Sequence, residues 1–413
     1  MDASPGEARR FPMKEGEFVG LMAAMMALQA LAIDVMLPAL GMIAHDLGAA
    51  DPNDRQLVIG VFLIGGGAFA LFPGPLADRY GRRSVALVAL VAYFIISLAC
   101  AFVTDFTALL VLRVLLGMAS AGLVTIPIAV VRDRFSGDRM ARAQSLIAMM
   151  FMLVPMLAPL LGQAVLLFAD WRAIFVVEAS LGLLVGVWVW LRLPETLHPE
   201  YRQPIVPKAI ASNMWLALSH RETLGYMLGG LFVQATILAY INSSQQLIGE
   251  SLGAGDWFPT IFGLLAAMIA IANFINSRIV ERFGARRVSH TALLAAIVIA
   301  SIHALIASAG METLPIFMVL MGLTMFTNSF QGSNFQSIAL QPFAQFAGSA
   351  ASAMSAIRLV GGAGLGTLIG QAYDGTAVPL TTSFVIISVA TLVFVLISER
   401  GRLFRRLNYP KPT

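Results

Sequence analysis

Apolar residues run along this chain in long blocks, and the polar residues gather in the short segments between them. Twelve blocks reach the roughly 20 residues a helix needs to cross a bilayer. They fall at 18–44, 57–76, 84–104, 106–131, 143–168, 172–192, 223–247, 258–278, 288–308, 313–338, 346–370 and 379–398. The pattern predicts an all-α membrane protein of twelve transmembrane helices.

The polar segments carry a repeat. Gly74-Pro75-Leu76-Ala77-Asp78-Arg79-Tyr80-Gly81-Arg82-Arg83 lies between the second and third blocks. Ser277-Arg278-Ile279-Val280-Glu281-Arg282-Phe283-Gly284-Ala285-Arg286-Arg287 lies between the eighth and ninth. Asp78 matches Glu281, Arg79 matches Arg282 and Gly81 matches Gly284, each pair 203 residues apart, about half of the 413-residue chain. Two pseudo-symmetric six-helix halves are expected, a build common among secondary transporters. The first half is 1–192, the second 223–413. The segment 193–222 joins them as a linker, and its Pro194, Pro199, Pro204 and Pro207 suit that role.

Composition agrees. Hydrophobic residues are 58% and charged residues 12% of the chain, with a mean hydropathy of +0.81. No soluble fold hides that much apolar surface, so the solvent is lipid. The pI near 9.5 reflects topology and not a nucleic-acid partner. With the N-terminus in the cytoplasm, 23 of the 27 Lys and Arg residues fall in the inner segments. Both termini are therefore expected on the cytoplasmic side of a bacterial inner membrane. No cleavable signal peptide is read before the first block. A single cysteine, Cys100, excludes a disulfide framework and a thiolate metal cage; in its apolar run it reads as a buried thiol.

The loop motif, placed between the second and third of twelve spans, resembles the major facilitator superfamily. Ile33-Asp34-Val35-Met36-Leu37-Pro38-Ala39-Leu40, Val131-Arg132-Asp133-Arg134-Phe135, Trp171-Arg172-Ala173-Ile174-Phe175 and Leu193-Pro194-Glu195-Thr196-Leu197 narrow the likeness. Together they resemble drug:proton antiporters of the bicyclomycin and chloramphenicol resistance type. That resemblance implies the twelve-helix fold and export of small compounds against protons. Three family patterns are altered, the first being the first-span motif, where Met36 stands in place of Tyr. The fourth-span pattern appears as Arg113-Val114-Leu115-Leu116-Gly117, without its glutamine. The fifth-span antiporter motif appears as Ala158-Pro159-Leu160-Leu161-Gly162-Gln163, with Pro159 and Gly162 kept and both flanking glycines replaced.

Few ionisable residues interrupt the spans, and each costs about 2.5–3.5 kcal/mol to insert. Asp34, with Pro38 one turn on, is read as the proton-coupling carboxylate, because protonation removes its charge. The alternative is a permanent ion pair with Arg113, which the residue count puts at a similar depth. Arg113 is the second proton-coupling candidate. Glu178 is read either as a water-accessible acid of the substrate cavity or as a partner for Arg172 or another base. His303 lies toward the outer end of the ninth span. In the loop, Gly74, Asp78, Arg79, Gly81 and Arg82 form an expected conformational latch, with Asp133 and Glu195 as partners. The alternative there is a topology signal alone.

Substrate signals come from two residue types. Met36, Met149 and Met152 suggest an adaptable apolar wall. Gln234, Asn242, Asn328, Gln331 and Arg358 suggest a polar, wet wall in the second half. Lipid-facing packing is the alternative for the methionines. No phosphate-binding loop, metal cluster or nucleophilic triad is visible, so an enzyme and a cofactor are not expected. The expectation is a monomeric, proton-coupled exporter of small amphipathic organic compounds working by alternating access. The runner-up is a proton-coupled importer of a small nutrient or metabolite.

Overall fold

The computed structural model describes residues 13–135, 137–197, 200, 215 and 220–404. Most of the linker and both chain ends lie outside the described residues. Among those described there is no strand. The first half contains α1 (Glu15–Asp34), α2 (Leu40–Asp46), α3 (Leu57–Phe69), α4 (Pro73–Tyr80), α5 (Arg82–Cys100), α6 (Phe106–Arg134), α7 (Gly137–Leu166) and α8 (Arg172–Arg192). The second contains α9 (Arg221–Ser244), α10 (Phe258–Phe283), α11 (Ala285–Ser308), α12 (Leu314–Leu340), α13 (Ala347–Gln371) and α14 (Val378–Ser398).

Eleven helices are long and apolar enough to cross a membrane, and the bent pair 52–69 and 73–80 makes a twelfth span with a 48° break. The break follows from Pro73 and Pro75, which remove backbone donors at the start of α4. The first span is interrupted as well. α1 stops at Asp34, and a 3-10 turn at Leu37–Ala39 carries Pro38 before α2 resumes.

One large apolar core runs through both halves, from Phe18, Phe62 and Leu116 to Leu238, Phe262 and Phe384, and the halves meet along two seams. α3 packs on α13, and α7 packs on α10. Glycines permit the approach. Gly60 faces Thr367, and Gly67 faces the Val360 backbone at 3.0 Å from where a Cβ would sit. Gly263 lies equally close to the Met156 carbonyl. These contacts follow the small-residue logic of helix packing in lipid, where close backbones gain van der Waals contact.

The two ends of the bundle differ in charge. One end, called basic here, carries the arginine-rich segments around Arg82, Arg134 and Arg286. The opposite end carries the turns around Asp51, Asp256 and Asp374.

Candidate functional site

Asp34 closes α1 where the helix breaks. It is 4% exposed, and no hydrogen bond or ion pair reaches it among the described residues. Tyr240, on α9 of the other half, lies within electrostatic reach. Its ring stacks on Phe262 at 5.7 Å, and its buried hydroxyl has no hydrogen-bond partner. Two unpartnered polar groups thus stand near one another across the junction of the halves. Gly162 explains how α7 fits there. It sits against the carbonyl of Val35, so tightly that a Cβ would collide with it, and 3.5 Å would separate that Cβ from Pro38. Pro159, in the same altered motif, is buried in α7.

Arg113 is fully buried, but its hydrogen bonds do not go to Asp34. Nε donates to the Val58 carbonyl at 3.0 Å, and Nη2 donates to the Ala32 carbonyl at 2.8 Å. The guanidinium lies 4.4 Å above the Phe62 ring. It therefore ties α6 to α3 and to the last turn of α1, two residues before Asp34. No direct Asp34–Arg113 ion pair exists among the described residues. Of the two readings of Glu178, the buried position speaks against the water-accessible acid, and the base within its reach is Arg113 and not Arg172. This side chain is 1% exposed and lies inside the first half, on a helix packed against α5, α1 and α7, near Arg113 and Tyr93. Arg172 does not reach it, because its guanidinium lies 4.2 Å over the Trp171 ring.

At the basic end the loop residues converge. Arg82 meets Asp78 at 2.6 Å and Asp133 at 3.1 Å. Glu195 accepts from the backbone N–H groups of Arg82 at 2.8 Å and Arg83 at 3.2 Å. A carboxylate on the first free N–H groups of α5 satisfies donors the helix cannot and complements its dipole. Gly81 makes this possible. Its φ is +101°, and the Glu195 carboxylate occupies the space a Cβ would need. Thr196 also donates to Asp133, at 3.0 Å. Gly74 packs beside Thr125. Arg79 departs from expectation. It is exposed, lies beside the Tyr80 ring and takes no part in this cluster.

The second half builds its counterpart differently. Arg286 meets Glu399 at 2.6 Å and donates to Gln341 at 3.1 Å. The Tyr226 hydroxyl donates to Glu399 at 2.6 Å and lies 2.9 Å from His290 Nε2.

The opposite end holds a cluster that sequence reasoning missed. Arg55, 7% exposed, forks onto Glu250 at 2.5 and 3.1 Å and donates to Gln245 at 2.9 Å. Gln56 donates to Gln246 at 2.6 Å, and Gln246 donates to Asn53 at 2.8 Å. Asn53 donates in turn to the carbonyls of Gln371 and Tyr373. This cluster ties residues 53–56 of the first half to Gln245, Gln246, Glu250, Gln371 and Tyr373 of the second. Gln245–Ser251 is a π-helical turn, a form concentrated at functional sites. Arg55 falls outside the inner segments that hold 23 of the 27 bases, which marks it by position but not by partner, and a π-turn has no sequence signature.

The expected substrate residues scatter. Met36 is fully buried. Met149 and Met152 share a helical stripe of α7 with Met156, whose carbonyl meets Gly263 of the second half. Asn242 lies near Thr367, and its Oδ1 is unpartnered. Gln331 donates to the Thr327 carbonyl, and Nδ2 of neighbouring Asn328 is unpartnered. Gln234 packs on Gly362, and Arg358 lies 3.4 Å from Gln336. A separate apolar groove of about 470 Å³ runs between α1 and α7, from Gly20 to Leu31 and Leu161, with Trp188 on its wall.

Comparison with known proteins decides the family. The description "Major Facilitator Superfamily" matches residues 22–367. The chain belongs to the major facilitator superfamily. It is similar to a bicyclomycin resistance protein homolog of Haemophilus influenzae, 31% identical over 88% of this chain and 92% of that protein. It is also similar to the multidrug resistance protein MdtL of Klebsiella pneumoniae, 32% identical over 58% of this chain and 60% of that one. Among solved structures, a bacterial homolog of the lysosomal transporter Spinster aligns with a TM-score of 0.71 at 16% identity, covering 96% of this chain and 97% of that one. The xylose transporter XylE of E. coli aligns at 0.70 and 12%, covering 94% and 97%. As a superfamily member the chain is a multi-pass membrane transporter and not an enzyme.

Proposed function

We propose that this transporter exports small amphipathic organic compounds in exchange for protons, by alternating access between its two ends. The observation that carries this reading is Asp34, a carboxyl almost wholly buried at a helix break, without a partner, beside the junction of the halves. An intramembrane acid so placed is a functional group by default, since an idle one is costly. Proton binding changes its charge, and its place beside the junction ties that change to the relative position of the halves.

The names of the Haemophilus and Klebsiella relatives support drug-like cargo. The apolar groove beside α1 has a volume in the range of small-molecule sites. The basic end faces the cytoplasm by the positive-inside rule, with both termini there. The bundles 1–192 and 223–413 are the two moving bodies of a monomer, and 193–222 tethers them. The cross-linked opposite end is then the outer gate in its closed state.

The test uses inverted vesicles with an acid lumen. Addition of bicyclomycin, or of an amphipathic dye, releases lumenal protons if export is proton-coupled. No proton movement with any compound of a growth-inhibition panel contradicts the reading. Proton movement only with a nutrient supplied from the lumenal face identifies an importer.

A further inference from the structure

Glu178 has no task in the account so far, although it is among the most enclosed polar side chains in the first half. It is 1% exposed, and both its carboxyl oxygens lack a hydrogen-bond partner. Its titratable neighbours are Arg113 on α6 and, on α5, Tyr93 and Cys100, which share its electrostatic surroundings. α1 and α7, which also pack on α8, bring no titratable side chain into that reach among the described residues. Tyr93 is committed elsewhere, its hydroxyl donating to the Leu28 carbonyl at 3.0 Å. Arg113 is committed only in part. Two of its nitrogens hold the Val58 and Ala32 carbonyls, and the third, Nη1, is buried with no partner.

Each group lacks what the other offers. A bare ionised carboxylate is expensive inside a bundle, and so is a guanidinium with an idle donor. A proton on Glu178 removes the first cost and leaves Arg113 on its carbonyls, which is the arrangement seen. Loss of that proton to water leaves a carboxylate that draws Nη1, and a guanidinium turned toward it shifts the Ala32 carbonyl that Nη2 holds, two residues before Asp34.

We propose that Glu178 is a second proton-binding carboxyl of the transport cycle, and that Arg113 relays its state to the Asp34 segment. Asp34 and Glu178 each carry one proton per cycle. The inference rests on the proton-exchange reading above, but its first test is independent of transport.

Infrared difference spectra of the purified protein, taken between acid and alkaline pH, report protonated carboxyls by their C=O stretch. Glu178→Gln is expected to remove one such band and Asp34→Asn another, while Glu178→Asp retains a shifted band. In proteoliposomes given a bicyclomycin gradient, Glu178→Gln is expected to halve the protons moved per substrate, from two to one. Arg113→Lys is expected to broaden the pH profile, because charge remains without the planar fork. Should Glu178→Gln misfold, Glu178→Asp carries the spectroscopic test alone. Spectra in which neither Glu178 variant alters a carboxyl band overturn the proposal. An unchanged proton ratio in an active Glu178→Gln protein overturns it too. A missing band with no transport in the unmodified protein leaves the proton site standing and removes the export reading instead.

Discussion

The two ends of the bundle use the same kinds of side chain for opposite purposes. At the basic end, Arg82 and Arg286 bind carboxylates of their own halves, Asp78 and Asp133 in one, Glu399 in the other. At the opposite end, Arg55 and Gln56 of the first half bind Gln245, Gln246 and Glu250 of the second. Polar bonds at one end keep each half intact, and at the other end they hold the halves together. The bonds that distinguish this state from its alternative are therefore concentrated on a few residues at the opposite end. The apolar seams, α3 on α13 and α7 on α10, supply close packing but, among the described residues, no polar lock.

The contrast between the ends can be broken in four places. Glu399→Gln has the largest expected effect, because Arg286 and Glu399 are 9% and 8% exposed. Removing one member of a buried pair costs about 3–5 kcal/mol. A clear fall in the melting temperature of the purified protein is expected, and an unchanged value removes Glu399 as the anchor of the second half.

Arg55→Ala comes next. Glu250 is about half exposed, which weakens the pair. About 1.5 kcal/mol remains for the charge-assisted bonds, roughly tenfold in the balance of conformations. Spin labels at Asp51 and Asp256 should show a longer-distance population at the opposite end. If the distances stay put, this cluster is not the lock.

Gly81→Ala forces a side chain to a φ of +101° and against Glu195. Strain of about 1–3 kcal/mol is expected. Turnover should slow while equilibrium binding of the substrate stays nearly unchanged, and the reverse pattern contradicts a conformational role.

Asp133→Asn should do least, under about 1 kcal/mol, because Asp78 still holds Arg82 at 2.6 Å. A loss as large as that of Glu399→Gln would mean that the two halves are held alike.

Much of this architecture is legible in the sequence, since block length reports spans directly. The repeat around Asp78 and Glu281 marks the two halves, and Pro38 announces the break after Asp34. Glu195 was a candidate partner for the loop, and its carboxylate caps α5. Depth in a span, however, does not tell which way a helix face is turned. Glu178 therefore stays open between a cavity acid and a partner for a base, and only the fold shows that α8 turns it into its own bundle, toward Arg113. Amides posed the same difficulty. Asn334 bonds Asn276 at 2.9 Å, a pairing between α12 and α10 that no local pattern encodes. Arg55 gives no signal in the sequence because a base beside a span end reads as topology, and only the fold brings the π-turn Gln245–Ser251 to it.

The most direct test of the central claim is proton release from purified protein on addition of bicyclomycin, measured with a pH-sensitive dye in weakly buffered detergent solution. The account predicts release from the unmodified protein, and from Asp34→Asn at most the half assigned to Glu178, with no proton-driven transport by that variant in vesicles. Undiminished release from Asp34→Asn, or uphill transport by that variant, would contradict it.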